Sequence, residues 1–167
     1  MGIAGEALML GQARLLDADN AGLIAAKTEL LAPPPRLLVI DDDTLHRMVI
    51  CRVAAKAGYI PAGAPTYEEA AKLAQANTFD CITLDLLLGQ HVSVEMLRHF
   101  RALDCKAPII IISGGDDATC REILRVAKSL NLNVGEPVPK PIDLAMLRYS
   151  LEQLRIQRAL ARVNAAI

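Results

Sequence analysis

Three consecutive aspartates, Asp41-Asp42-Asp43, close one short apolar run, and a fourth, Asp85, closes another. Ser113 and Lys140 each follow a later run of the same kind. Carboxylates brought to about 5 Å of one another at an effective dielectric of 20 repel by roughly 3 kcal/mol per pair, so a cluster of them needs a counter-charge. A hard divalent cation supplies one. All-oxygen ligation by carboxylates, a backbone carbonyl and water suits Mg2+, which typically also takes a phosphoryl oxygen. Beside such an ion a further carboxylate, Asp85, can attack phosphorus and become an aspartyl phosphate. The Lys140 ammonium and the Ser113 hydroxyl can then hold the phosphoryl oxygens. Singly these residues have ordinary roles, since Asp runs cap helices and Ser often follows a strand. Their appearance in this order, each at the end of an apolar run, points to phosphoryl chemistry.

The elements that must carry these residues alternate along the chain. Leu37 to Ile40 reads as a strand buried on both faces, followed by a helix from Thr44 to Ala57 that Gly58 ends. Ile60 to Ala64 is a weak strand, and Pro61 restricts it to a sheet edge. Thr66 with Glu69 forms a capping box for a helix to about Ala76. Cys81 to Leu84 is the third strand, followed by a helix over about Val94–Ala102. Pro108 to Ile112 is the fourth strand, and Asp116 or Asp117 caps a helix to about Leu130. A short fifth strand is expected over Asn133–Val138, then a last helix from about Asp143 towards the C-terminus. Five strands alternating with five helices predict an α/β fold, a doubly wound five-stranded parallel sheet of order 2-1-3-4-5. In such sheets the ligand site lies beyond the carboxyl ends of the strands, and those ends carry Asp41, Asp42, Asp85, Ser113 and Lys140.

Composition narrows the function classes. With 18 basic against 19 acidic residues, no broad field favours nucleic acid or an anionic membrane. Trp is absent and only 3% of residues are aromatic, so base-stacking platforms are not expected. No apolar run approaches the roughly 20 residues needed to span a bilayer, and a cytoplasmic protein is expected. The four cysteines are widely spaced and read as buried or idle thiols. Residues 1–32 carry Leu and Ile at spacings compatible with an amphipathic helix. They end at Pro33-Pro34-Pro35, where a boundary belongs.

From 36 to about 155 the chain resembles the receiver domains of bacterial two-component response regulators. The resemblance rests on Leu-Leu-Val-Ile-Asp-Asp-Asp (37–43), Phe-Asp-Cys-Ile-Thr-Leu-Asp (79–85), Pro-Ile-Ile-Ile-Ile-Ser-Gly (108–114) and Pro-Lys-Pro (139–141). It implies a flavodoxin-like receiver fold with Asp85 as phosphoacceptor. Mg2+ or Mn2+ would be held by Asp41, Asp42, Asp85 and the Leu87 backbone carbonyl. Ser113 would be the hydroxyl switch, and Lys140 the phosphoryl-binding cation before a cis Pro141. Asp43 is the cap of the first helix rather than a ligand. The implied partner is a sensor histidine kinase or phosphotransfer protein, and the only catalysis is of the domain's own phosphorylation and dephosphorylation. The expected plan is an arm and Pro linker over 1–35, a receiver over 36–155 and an extension of the last helix over 156–167. On this plan the receiver stands alone, and output comes from association, with a homodimer through the arm or the last helix.

The chain also departs from the family pattern. Gly89-Gln90-His91-Val92-Ser93 replaces the usual proline and glycine after the phosphoacceptor. Pro137 stands where many members carry the aromatic that moves with the hydroxyl residue, so either activation takes another route or the domain switches weakly. Leu87 and Gly115 offer no polar side chain to position a hydrolytic water, which predicts a long-lived aspartyl phosphate. The three histidines, His46, His91 and His99, are assigned ordinary surface or helix roles. Two rival readings remain. One is a receiver-shaped interaction module that works without phosphorylation. The other is a haloacid-dehalogenase-like phosphatase with Asp41 as nucleophile, although that family's acidic pair after the lysine is missing.

Overall fold

The computed structural model describes residues 33–88, 90–114 and 117–165. The N-terminal arm, Gly89, Gly115 and Asp116 therefore lie outside the described residues. Five parallel strands, β1 (Arg36–Ile40), β2 (Ile60–Ala64), β3 (Cys81–Asp85), β4 (Ile109–Ser113) and β5 (Val138–Pro139), pair in the order β2-β1-β3-β4-β5. Between them run α1 (Thr44–Lys56), α2 (Tyr67–Ala76), α3 (Gln90–Ala102) and α4 (Asp117–Ser129), and α5 (Leu144–Ala165) follows. The doubly wound α/β architecture and strand order expected from the sequence are those observed.

The strand sequences explain why the sheet sits where it does. Every residue of β3 is buried, as are four of the five in β1, as both faces covered by helices require. Side chains alternate between faces. Leu38, Ile40, Ile82, Leu84, Ile109 and Ile111 join Met96, Leu97 and Phe100 of α3 and Ile123 and Ala127 of α4 in one aliphatic core. Burying each such large side chain contributes about 1.5–3 kcal/mol. Leu37, Val39, Ile110 and Ile112 turn to the other face, where Ile50, Val53 and Ala54 of α1 and Leu147 and Leu151 of α5 are buried. Asp85 shares this second face with Thr83 and Cys81. On this side the Tyr59 hydroxyl donates to the Leu151 carbonyl at 3.1 Å, tying the loop before β2 to α5.

Caps follow the sequence closely. Thr66 Oγ1 accepts from the Glu69 amide at 3.3 Å, and Asp143 Oδ1 accepts from the Ala145 and Met146 amides. Gly58, at φ 86°, ends α1 in a backbone conformation that a side chain would strain. All four cysteines are free thiols, and burial pushes Cys81 up to about 12.

Two boundaries differ from expectation. The helix expected from Val94 begins at Gln90, because no proline interrupts Gln90–Ser93, and a 3-10 turn covers Leu86–Leu88. The fifth strand is only Val138–Pro139, with an isolated bridge from Val134 to Ile109. Prolines at 137, 139 and 141 remove the donors a longer ladder needs. Leu144, at the start of α5, is exposed, whereas Leu147 and Leu151 are buried.

Pro34–Glu152 form one compact unit, and Gln153 onward falls in another. Among the described residues no helix is long and apolar enough to cross a membrane.

Candidate functional site: an acidic rim at the carboxyl ends of the strands

β1 stays apolar to Ile40 and hands over to Asp41, whose amide still donates to the Ala64 carbonyl of β2 at 3.2 Å. That bond holds Asp41 at the sheet edge, where its side chain is fully buried. One of its carboxylate oxygens accepts the Asp43 amide at 2.9 Å, and the other lies 3.2 Å from Nδ1 of His46. Asp42 occupies the bend with its side chain exposed. Asp43 turns the chain into α1, its Oδ1 accepting the His46 amide at 2.8 Å. Arg47 fastens the same turn by donating to the Asp41 carbonyl at 2.7 Å. Its stem crosses β2 at Gly63, where a Cβ would stand 3.1 Å from Arg47 Cδ.

β3 delivers Asp85, only 1% exposed, and Lys140 reaches it from the end of β5 with Nζ 2.7 Å from Oδ2. The lysine side chain is 14% exposed, so the pair is almost wholly withdrawn from water. Backbone pairing sets this reach. The Lys140 amide donates to the Ser113 carbonyl at 2.8 Å, which joins the ends of β4 and β5. The Lys140–Pro141 peptide is cis, as the resemblance implies.

Two buried carboxylates face one ammonium. Burial first, and the Asp85 charge second, push the Asp41 carboxyl above its ordinary range against the opposing pull of Lys140, the Asp43 amide and His46. The exposed Asp43 is held below its ordinary range, chiefly by the His46 amide it caps. The excess of negative charge at the rim is the condition that a divalent cation relieves.

Of the residues singled out from sequence, Asp41, Asp85 and Lys140 converge, and Ser113 is tied to Lys140 through the backbone. Leu87 lies in the 3-10 turn just past Asp85. Among the described residues, the set of His, Cys, Asp and Glu side chains with ligand atoms within 4.8 Å of one another is Asp41, His46 and Asp85. Asp42 stands outside that set because its side chain leaves the bend towards solvent. Sequence reasoning missed two residues, His46 and Arg47. The available signal was position: both sit in the first turn of a helix capped by Asp43, and helical side chains lean back towards the N-terminus. His99, by contrast, meets the Tyr67 ring edge-on at 6.1 Å, a packing role.

A parallel sheet of order 2-1-3-4-5 with an acidic rim at its carboxyl ends defines a flavodoxin-like receiver architecture. The family described as response regulator receiver domain matches residues 37–152, and the chain belongs to it. Its place is thus in two-component signalling. The chain is 28% identical over 121 residues to Response regulator MprA of Mycobacterium sp. (strain KMS), covering 72% of this chain and 50% of that protein. It is 29% identical over 126 residues to a protein-glutamate methylesterase/protein-glutamine glutaminase of Nocardioides sp., covering 74% of this chain and 33% of that protein. The chain thus spans about half the length, or less, of these two relatives. Among solved structures, a response regulator from Colwellia psychrerythraea aligns with TM-score 0.65 at 24% identity, over 75% of this chain and 99% of that one. A chemotaxis protein of Vibrio cholerae aligns with TM-score 0.63 at 21% identity, over 73% and 99%. At these identities the structural likeness speaks for the fold.

Proposed function

We propose that the protein is a phosphorylation-dependent switch whose Asp85 accepts a phosphoryl group from a sensor histidine kinase or phosphotransfer protein. The single observation that carries this reading is the buried Lys140–Asp85 contact at 2.7 Å, with the Asp41 carboxylate in the same cluster. An Asp85 oxygen attacks phosphorus while the phosphorus–nitrogen bond of the donor phosphohistidine breaks, the electron pair leaving with the imidazole nitrogen. Lys140 neutralises the acceptor and then the phosphoryl oxygens, and the Ser113 hydroxyl takes a further oxygen. Asp41, Asp42, Asp85 and the Leu87 carbonyl would hold Mg2+ or Mn2+. When bound, the ion neutralises phosphoryl charge and fixes the attacking geometry. Leu87 provides no polar group for a hydrolytic water, which favours a long-lived phosphoprotein.

With Pro137 in place of a switch aromatic, output passes through other surfaces. α5 exposes Leu144, Met146 and Tyr149, and a homodimer through the last helix or the arm is the proposed form of association. The phosphoryl reading is tested by intact-mass and peptide mass spectrometry after exposure to acetyl phosphate or a phosphorylated kinase with magnesium. One phosphoryl group on Asp85, absent in Asp85→Asn, supports it. No label returns the protein to a binding module without phosphorylation, and turnover of a phosphate ester points to a phosphatase.

A further inference from the structure

The acidic rim includes a histidine that is not part of the motif. His46 is the third residue of α1, and its amide is fixed by the Asp43 cap at 2.8 Å. Its ring reaches back over the acidic turn until Nδ1 lies 3.2 Å from Asp41 Oδ2, with the side chain one-third exposed. Two atoms bound to one ion at 2.0–2.1 Å lie about 2.9–3.3 Å apart when they are neighbouring ligands. The His46–Asp41 separation falls in that range. The ligand atoms of His46, Asp41 and Asp85 all lie within 4.8 Å of one another, a little wider than the roughly 4.1 Å between ligands on opposite sides of such an ion. Only a small closure is needed for all three to share a cation.

An imidazole nitrogen changes which ion that is. Mg2+ is a hard cation served by oxygen, whereas imidazole suits zinc and neighbouring first-row ions. We propose that Nδ1 of His46 is a nitrogen ligand of the divalent-cation centre, giving the rim a preference for imidazole-binding ions such as Zn2+ and Co2+ beyond what its carboxylates confer. The inference rests on the reading that Asp41 and Asp85 hold a cation. The ligand is the neutral ring, with its proton on Nε2 and the Nδ1 lone pair directed at the ion.

The test is calorimetric titration of the full chain and of His46→Leu with Co2+ and with Mg2+, together with nitrogen NMR of the wild-type imidazoles during Zn2+ addition. Removing a ligand should weaken Co2+ binding by at least the ~10-fold typical of losing even an outer-shell partner. Mg2+ affinity should be left nearly unchanged. The His46 Nδ1 resonance should shift on Zn2+ addition, a readout that needs no variant. Equal effects on the two ions, or a stationary Nδ1 resonance while Zn2+ binds, would overturn the proposal and leave the carboxylate site intact. If the wild type binds none of the three ions, the cation reading fails along with it.

Discussion

Two lysine–aspartate pairs of nearly equal length lie at opposite ends of the sheet. Lys140 meets Asp85 at 2.7 Å beyond the carboxyl ends of the strands, and Lys106 meets Asp104 at 2.6 Å in the loop that enters β4. Distance does not separate them, but burial does: the first pair is 14% and 1% exposed, the second 74% and 70%. In water the attraction is screened and the side chains lose entropy to hold it, so the outer pair is worth little. At the rim the same contact keeps two buried carboxylates tolerable. The lesson is that a charge becomes functional when the fold withdraws it from solvent without neutralising it completely.

The largest effect that sharpens this contrast is expected from Lys140→Met. It leaves Asp41 and Asp85 buried against each other and should cost about 2 kcal/mol in urea unfolding, below the ~3–5 kcal/mol of a fully buried pair because the rim keeps access to water. A cost no larger than that of an exposed pair would remove the distinction.

Asp41→Asn should act in the opposite direction. The Asp41 carboxyl is raised in the folded state, so folding is unpenalised below its unfolded value of 3.8 and loses stability as pH rises through the folded one. The amide substitution should therefore raise stability at neutral pH, with chelator present, by about 1 kcal/mol, or Tm by roughly 3–6 °C. The gain should vanish as the pH falls below 3.8, and a gain independent of pH would contradict the electrostatic cause.

Smallest of all, Asp104→Asn or Lys106→Ala should leave the urea midpoint unchanged within error in moderate salt. A clear drop in either variant would mean that exposure does not set the value of these pairs.

Much of this contrast was legible in the sequence because strands buried on both faces write themselves as apolar runs, and a parallel sheet brings their ends to one edge. Asp41 and Asp85 each follow such a run and Lys140 follows the short last strand, so their meeting could be anticipated. Asp42 could not be distinguished from its neighbours, since the bend that turns its side chain outward depends on the Asp43 cap and the Arg47 clamp. His46 was hidden for a related reason: a histidine in a first helical turn has no signature until the cap aims it. The start of α3 differs because the apolar pattern begins at Val94, whereas the helix already includes the polar Gln90 and Ser93. The fifth strand was overestimated because Val134 and Val138 suggest one continuous strand while the prolines permit only two short contacts.

The most direct test of the central claim is binding of beryllofluoride, a phosphoryl mimic that needs an acceptor carboxylate, a divalent cation and a neutralising ammonium in one place. Fluorine NMR of the full chain with magnesium should give a bound resonance that Asp85→Asn abolishes and Lys140→Met weakens. A bound resonance that survives Asp85→Asn, or none in the wild type, would contradict the assignment of this rim as the phosphoryl-accepting centre.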